Sequence, residues 1–274
     1  MSETQVAKAK ETNVVNIFSS MEEHAAEGMD AIGTEDMQIP FLRLVQQLSP
    51  QLNKKEANYI EGISSGDIFN TVTNQYWDGE KGVVVIPCGY VMKYLEFGLR
   101  DEGGGFMGEI PANHIDLGNT TRDGTVEKLP SGNELVRSAQ HLVLIVDIES
   151  GRTQQAIVDM KKTQLKVSRR WNTQMRMVQY EGAKGPYNPP MWGTAWRLTT
   201  VSESSNNNTW VNWTVENVPA DKVPMAAFET AREFFNSFRS GDVKTGTGEH
   251  AGDDPQNAAP QAPTSTSIND DVPF

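Results

Sequence analysis

The order of its apolar patterns constrains this chain most. Three segments with alternating apolar residues come first, at 82–97, 139–148 and 153–160. A segment with helical spacing follows them, and two further alternating segments lie at 192–201 and 209–216. Alternation with a period of two is typical of strands that bury one face. The pattern therefore predicts three strands, a helix and two strands, in that order.

This element order is that of the oligonucleotide-binding barrel (OB-fold), a five-stranded Greek-key barrel that binds ligands at its loops 1–2 and 4–5. We expect a mainly β protein with this fold, a helix between strands 3 and 4, a C-terminal helix over 220–238, and disordered termini. Loop 1–2 would be a Gly-rich insertion at 99–135, and loop 4–5 the polar Ser202–Asn208 turn. The run Ile39–Leu48 is predicted as a short helix, and 66–73 as an extra strand. Other small β-barrels would show similar patterns.

The net charge of -12 is unevenly distributed. Residues 1–36 hold eight acids and two lysines, and residues 241–274 hold six acids and one lysine. The 37–240 body is therefore close to neutral. We predict three parts: an acidic N-terminal segment, helical in part or flexible; a binding domain over 37–240; and a disordered acidic tail over 241–274, whose composition cannot form a core.

The composition argues against several classes of protein. One cysteine, Cys88, rules out an internal disulfide, and no signal peptide or bilayer-spanning run is recognisable, so we expect a cytoplasmic protein without membrane contact, in the host cytoplasm if it is phage-encoded. No Gly-rich loop continues into Gly-Lys-Ser/Thr, so the sequence contains no recognisable phosphate-binding loop for a nucleoside triphosphate. The four histidines are scattered and cannot form a zinc signature with one cysteine; they are His24, His114, His141 and His250. We expect no metal and no cofactor.

A concentration of positive charge marks the segment between Asp159 and Tyr180. It holds six cations: Lys161, Lys162, Lys166, Arg169, Arg170 and Arg176. On a helical projection, all but the first share one arc, opposite an apolar arc of Leu165, Val167, Trp171, Met175 and Val178. A solvated surface is the ordinary explanation of a charged helix face. Because such faces usually mix signs and this arc holds no acid, the pattern favours a polyanion ligand.

Aromatic rings and cations alternate after this helix, and Trp210 lies on the polar face of the last strand. Proteins that bind single strands need this mixture, because cations follow the phosphates and each ring stacks on a base for roughly 1–3 kcal/mol. Core packing is the alternative for every ring. The candidate nucleic-acid-binding residues are Lys161, Lys162, Lys166, Arg169, Arg170, Arg176, Tyr180, Lys184, Tyr187, Trp192, Trp196, Arg197 and Trp210.

The chain ends in Asp270-Asp271-Val272-Pro273-Phe274. This ending resembles that of single-stranded DNA-binding proteins of bacteria and their phages, in which an OB-fold carries an acidic tail with a hydrophobic tip. The segments Gly66–Asn70 and Thr163–Trp171 look more like the divergent phage branch. The resemblance implies that residues 270–274 recruit replication and recombination proteins, such as a polymerase, a helicase or primase, or a nuclease. It also implies a homo-oligomer, for which we expect a dimer.

Together these patterns predict a protein that is not an enzyme. It would bind and protect single-stranded DNA without strong sequence preference during phage DNA replication, recombination and repair. A strand-annealing or recombination protein would share the same groove. A Mg²⁺-dependent nuclease is a further alternative, because Asp147, Asp159 and Lys161 are the residue types that such a site needs near its attacking water.

Overall fold

The computed structural model describes residues 21–22, 24–25, 27–29, 31–33, 37–99, 104–205 and 208–246. The chain divides into two compact units, Met1–Gln38 and Ile39–Phe274. In the first unit the described residues form short turns, such as the one in which the His24 amide donates to the Met21 carbonyl at 3.1 Å. The sequence predictions for residues 1–20 and for the tail beyond residue 246 lie outside the described residues.

The described part of the second unit contains thirteen strands and two α-helices. The strands are β1 (Phe41–Leu44), β2 (Ile68–Asn70), β3 (Tyr76–Trp77), β4 (Val83–Gly98), β5 (Gly105–Ile110), β6 (Thr121–Asp123), β7 (Val126–Lys128), β8 (Glu134–Val146), β9 (Thr153–Lys161), β10 (Tyr180–Gly182), β11 (Gly185–Tyr187), β12 (Ala195–Ser205) and β13 (Asn208–Val218). The helices are α1 (Leu165–Met177) and α2 (Met225–Ser240). No helix in the described part of the chain is long and apolar enough to cross a bilayer.

Most strands form one curled sheet in the order β13-β12-β4-β8-β9-β1-β2-β3. Neighbours along it are antiparallel, except that β1 runs parallel to β9. Between β4 and β8, residues 104–133 form what we call the arm. In it, β5 pairs antiparallel with the second half of β4, and β7 of the β6–β7 hairpin pairs with the start of β8. Strands β10 and β11 form a separate hairpin.

The five strands expected from the apolar alternation all form, as β4, β8, β9, β12 and β13, and α1 lies between the third and fourth. The prediction of a mainly β protein is confirmed, while the assignment to an OB-fold stays a prediction. The predicted C-terminal helix is confirmed as α2, which ends at Gly241 with φ 86°. Helices commonly end with a residue in this left-handed conformation, which glycine adopts without strain.

Two predictions about secondary structure were wrong. The expected helix at Ile39–Leu48 is instead β1, a strand with a neighbour on each side. Such a strand is apolar on both faces, and a short apolar run cannot be told from a buried helix by its spacing. The insertion at 99–135, which we expected to be a loop, contains the three strands of the arm.

The sheet buries an apolar cluster on each of its faces. On one face, Trp171 and Met175 of α1 pack against residues from β1, β2, β4, β8, β9, β12 and β13; we call this the inner cluster. On the other face, the outer cluster joins β4, β8 and β9 to Ala227, Phe228, Ala231 and Phe234 of α2. The two helices therefore cover opposite faces of the sheet.

One buried side chain connects the edge strand β13 to the segment that follows β1, five strands away in the sheet. Gln46, which follows β1, donates from Nε2 to the carbonyl of Val211 in β13 at 2.9 Å. Its Oε1 accepts from the Val211 amide at 2.8 Å. Gln46 is only 9% exposed. The side-chain amide thus takes the place that a neighbouring strand would have beside the edge strand β13. It provides a partner for both the amide and the carbonyl of Val211.

We expect Gln46→Ala to lower the free energy of unfolding by about 1–3 kcal/mol, because both backbone groups of Val211 would lose their buried partner. The neighbouring Gln47 is exposed, so Gln47→Ala should change it by less than about 0.5 kcal/mol. Urea unfolding monitored by circular dichroism gives both values. Equal midpoints for the two variants would contradict the bridging role of Gln46.

A second buried polar residue, His141, lies between the sheet and α1. Its Nε2 and the Ser168 Oγ are 2.8 Å apart, and its ring stacks on Trp171 with 4.4 Å between centroids. Burial lowers the pKa of His141 to about 3. The unfolded chain takes up this proton near the ordinary pKa of about 6.5. The folded chain takes it up only near 3, so stability falls as the pH drops through this interval.

Between pH 7.5 and pH 5, the free energy of unfolding of the native protein should therefore fall by about 2 kcal/mol more than that of a His141→Gln variant. Urea midpoints at the two pH values measure this difference. If the variant fails to fold, the His141 ring can be titrated by NMR in the native protein. A ring that takes up its proton above pH 5 would overturn the assignment.

Candidate nucleic-acid interface

A cleft of about 1130 Å³ lies where the arm, the start of α1 and the β12–β13 hairpin meet. The arm contributes β6, β7 and the turn between them, and β8 contributes its first residues. Lys162 and Arg169 line it from the α1 side, and Trp210 lines it from β13. The cleft thus brings together three segments that lie far apart in the sequence.

Basic residues outnumber acids among the described residues that line the cleft. The cations are Arg122, Lys128, Arg137, Lys162 and Arg169, and the acids are Asp123, Glu127 and Glu134. Each acid pairs with one cation: Asp123 with Lys128 at 2.8 Å, Glu127 with Arg137 at 2.7 Å, and Glu134 with Lys162 at 3.6 Å. Arg122 and Arg169 form no ion pair with the described residues. The described residues that line the cleft therefore carry a net charge of +2, from five cations and three acids, and Arg122 also acts on Glu127 across the β6–β7 hairpin.

The ion pairs also hold the arm against the sheet. Arg137 of β8 donates from two guanidinium nitrogens to both oxygens of Glu127 in β7, at 3.0 and 2.7 Å. Its guanidinium lies over the Tyr94 ring, 5.3 Å from the centroid. The hydrogen bond from Arg137 lowers the pKa of Glu127, so this carboxylate is ionised at neutral pH. This bidentate contact fixes the orientation of the two side chains as well as their distance.

The amphipathic character predicted for the basic segment is confirmed in α1. Ser168, Trp171 and Met175 are buried on its inner side. The exposed residues of α1 are Lys166, Arg169, Arg170, Thr173, Arg176 and Met177. Among the described residues, Arg169, Arg170 and Arg176 have no ion-pair partner. The exposed face therefore carries positive charge along the whole helix.

Lys161 and Lys162 do not belong to this helical face. Strand β9 continues to Lys161, whose Nζ lies 2.8 Å from the Asp159 carboxylate. Lys162 adopts a left-handed backbone with φ 49°, which is uncommon for a residue other than glycine. It turns the chain from β9 into α1 through a short 3-10 helix, Lys162–Gln164. Of the two lysines, only Lys162 lines the cleft.

Glu203 of β12 connects α1 to the Trp210 ring. Lys166 donates to both of its oxygens, at 2.7 and 2.9 Å. The Trp210 indole N–H and the Asn212 amide donate to its Oε2, at 3.1 and 2.9 Å. The hydrogen bond from Lys166 is the main cause of a lowered Glu203 pKa. These contacts fix the orientation of the Trp210 ring, which stays partly exposed in the cleft.

A second aromatic group lies on the β10–β11 hairpin. Tyr187 is 49% exposed and packs edge-on against Tyr180 at 6.2 Å. Lys184 is exposed at the hairpin turn. The side chain of Asn188 donates to the carbonyls of Arg176 and Val178, at 3.0 and 2.9 Å. These bonds attach the hairpin to the C-terminal end of α1, next to its basic face.

Three of the predicted binding residues lie away from the cleft and from the exposed face of α1. Trp196 is 1% exposed and donates to the Thr194 hydroxyl, so its predicted stacking on bases was wrong: strand alternation turns its ring into the inner cluster. Trp192 packs on the outer cluster, with the Arg232 guanidinium 5.6 Å from its ring centroid. Arg197 donates to the Lys81 carbonyl at 2.9 Å and does not line the cleft.

Sequence reasoning missed Arg122, Lys128 and Arg137. They lie in or beside the insertion at 99–135, which was expected to be loop 1–2 but contributed none of the predicted binding residues. Acids alternate with them along the chain, so no run of one sign marks the segment. Only the pairing of β6, β7 and β8 shows that Arg122 lies opposite Glu127, while the ion pair of Glu127 is with Arg137.

The carboxylates proposed for a nuclease do not come together. Asp147 accepts from the Ser150 amide and hydroxyl in the turn after β8. Asp159 lies opposite Gln140 of β8. Gln140 precedes Asp147 by seven residues, which corresponds to about 23 Å along an extended chain. Within the described ranges, no group of three or more His, Cys, Asp or Glu residues is placed to hold a metal ion. Asp147 and Asp159 therefore do not form a common site in this structure.

The C-terminal segment leaves the domain on the face that α2 covers. Lys93, which is 8% exposed, donates to the Thr245 carbonyl at 2.8 Å and pairs with Glu109 of the arm at 2.9 Å. Gln140 donates to the Gly246 carbonyl at 3.2 Å. By strand alternation, Gln140 points away from the face on which His141 meets α1. The predicted tip, Asp270–Phe274, lies outside the described residues.

Comparison with known proteins identifies one family. The family model described as "Pam3 phage gp34-like protein" matches residues 9–244, which is 236 of the 274 residues. No curated protein and no solved structure matches the chain significantly. The family description supports the expectation of a bacteriophage protein and leaves the resemblance to single-stranded DNA-binding proteins a prediction. Since the match covers well over half of the sequence, the chain belongs to the Pam3 phage gp34-like family.

Proposed function

We propose that this protein binds and protects single-stranded DNA, without strong sequence preference, during phage DNA replication, recombination and repair. The observation that carries the proposal is the cleft, in which Arg122 and Arg169 have no ion pair with the described residues and the Trp210 ring is partly exposed. Cations that follow a phosphate backbone beside rings that stack on bases are the two requirements for binding a single strand.

The topology supports an OB-fold as the scaffold of this function. Strands β12-β4-β8-β9 lie in the order fourth, first, second, third of the five predicted strands, which is the order of a Greek key. In an OB-fold, loops 1–2 and 4–5 contact the oligonucleotide. The arm corresponds to loop 1–2 and the tip of the β12–β13 hairpin to loop 4–5. Both line the cleft.

A strand in the cleft would have a continuous path along α1. Phosphates would pair with Arg122 and Arg169, and a base would stack on Trp210. Farther along the helix, Arg176 and the exposed ring of Tyr187 offer the same two kinds of contact. Ring faces and phosphates are common to all nucleotides, so this arrangement would bind with little sequence preference.

The proposal includes partner binding through the tip at residues 270–274. Because Thr245 and Gly246 are held on the face opposite α1, the remaining 28 residues begin on the far side of the sheet from the basic helix. At roughly 3.5 Å per residue, an extended segment of this length reaches up to about 100 Å. A DNA strand and a partner replication protein would then not compete for one surface. A homodimer is part of the same proposal, implied by the resemblance alone.

Charge reversal tests the cleft. We expect Arg169→Glu and Arg122→Glu each to weaken binding of poly-dT roughly tenfold or more at low salt, and to lower the slope of log affinity against log salt by about 0.7 for each lost phosphate contact. Arg152 is exposed in the β8–β9 turn, so Arg152→Glu, with the same change in net charge, should alter the affinity less than about twofold. Fluorescence anisotropy over a salt series measures all three.

Two outcomes would contradict the cleft as the binding site. One is an equal loss of affinity in all three variants, which would indicate a response to net charge alone. The other is the absence of poly-dT binding by the native protein at low salt.

Tryptophan fluorescence tests the stacking. Binding of poly-dT should quench part of the emission, and Trp210→Phe should remove most of that quenching, because a ring stacked on a base is quenched. Trp192→Phe replaces a half-buried ring that packs on the outer cluster, and should leave the quenching in place. Quenching that persists in Trp210→Phe and disappears in Trp192→Phe would place the strand elsewhere.

A further inference from the structure

Glu203 is surrounded as a bound phosphate would be. Its two oxygens receive four hydrogen bonds: two from the Lys166 ammonium, one from the Trp210 indole and one from the Asn212 amide. A carboxylate has about four lone-pair sites, so these donors nearly saturate it. A cation, an indole N–H and an amide are also suitable donors for a phosphate oxygen.

This arrangement is located at the edge of the cleft. Glu203 and Trp210 are direct cross-strand partners on β12 and β13, so their side chains share one face. Lys166 lies one helical turn before Arg169, and both Arg169 and Trp210 line the cleft. The Lys166 ammonium is therefore next to the proposed path of the strand, but its charge is neutralised by Glu203.

We propose that Glu203 is an internal competitor of the nucleic-acid phosphate, which holds Lys166 and Trp210 in place in the free protein and limits the affinity of the cleft. This inference rests on the proposed function. When a strand binds, a phosphate takes over Lys166, and the carboxylate keeps its bonds to Trp210 and Asn212. The exchange replaces one anion by another, so Lys166 adds little net affinity while Glu203 is present.

Glu203→Gln removes the negative charge and retains an oxygen that can accept from Trp210 and Asn212. The variant should bind poly-dT roughly three- to tenfold more tightly at low salt, and its salt slope should be steeper by about 0.7, as for one more phosphate contact. Glu216 is an exposed residue near the other end of β13. Glu216→Gln makes the same change in net charge and should tighten binding less than about twofold.

Lys166→Gln completes the test as a double-mutant cycle. In the native background it should weaken binding less than about twofold, whereas in the Glu203→Gln background it should abolish the whole gain. A Glu203 that only orients Trp210 predicts the opposite: Glu203→Gln would bind no more tightly and with an unchanged salt slope. Either of those results, or an equal gain in Glu216→Gln, overturns the proposal.

The same titrations separate this inference from the proposed function. If the native protein binds poly-dT and Glu203→Gln does not tighten it, the competitor role fails and the proposed function stands. If neither protein binds poly-dT at low salt, both fail.

Discussion

The burial of Trp171 determines where the positive charge of this protein lies. Its indole is fully buried, stacks on His141 and meets Trp196 edge-on at 6.4 Å. A ring of this size contributes a large share of the apolar area that attaches a helix to a sheet. With the ring inside, the helical period turns Arg169, Arg170 and Arg176 outward along the entire helix. The packing of the core and the position of the candidate interface are thus consequences of one contact.

The second constraint is electrostatic. In a chain of net charge -12, most of the cations near the cleft are neutralised by neighbouring carboxylates, as in Glu127–Arg137 and Glu203–Lys166. An ion pair with an exposed lysine, such as Glu203–Lys166, contributes little to stability, whereas Glu127–Arg137 is partly buried and bidentate. Both pairs have a further consequence. They leave only selected guanidinium groups for a ligand. A cleft of this kind would bind a polyanion at a few defined points and release it as salt rises.

How much the sequence could predict depended on whether a signal is local. The alternation of β8 and β9 and the amphipathic pattern of α1 are local, and the elements formed as expected. The strand β1 was mistaken for a helix because its identity depends on neighbours far along the chain. The burial of Trp196 depends on which alternate residues of β12 point into the core, and the flanking residues did not indicate this. The cleft itself is formed by the arm, α1 and β13, and no local pattern indicates that these three meet.

The most direct test of the account is to map where a single strand lies. A bromodeoxyuridine-substituted oligonucleotide can be cross-linked to the full chain with ultraviolet light and the modified peptides identified by mass spectrometry. Cross-links are expected on peptides that contain Trp210 and on residues 121–137, which belong to the arm and the start of β8. Cross-links concentrated on α2, on the opposite face of the sheet, would contradict the account.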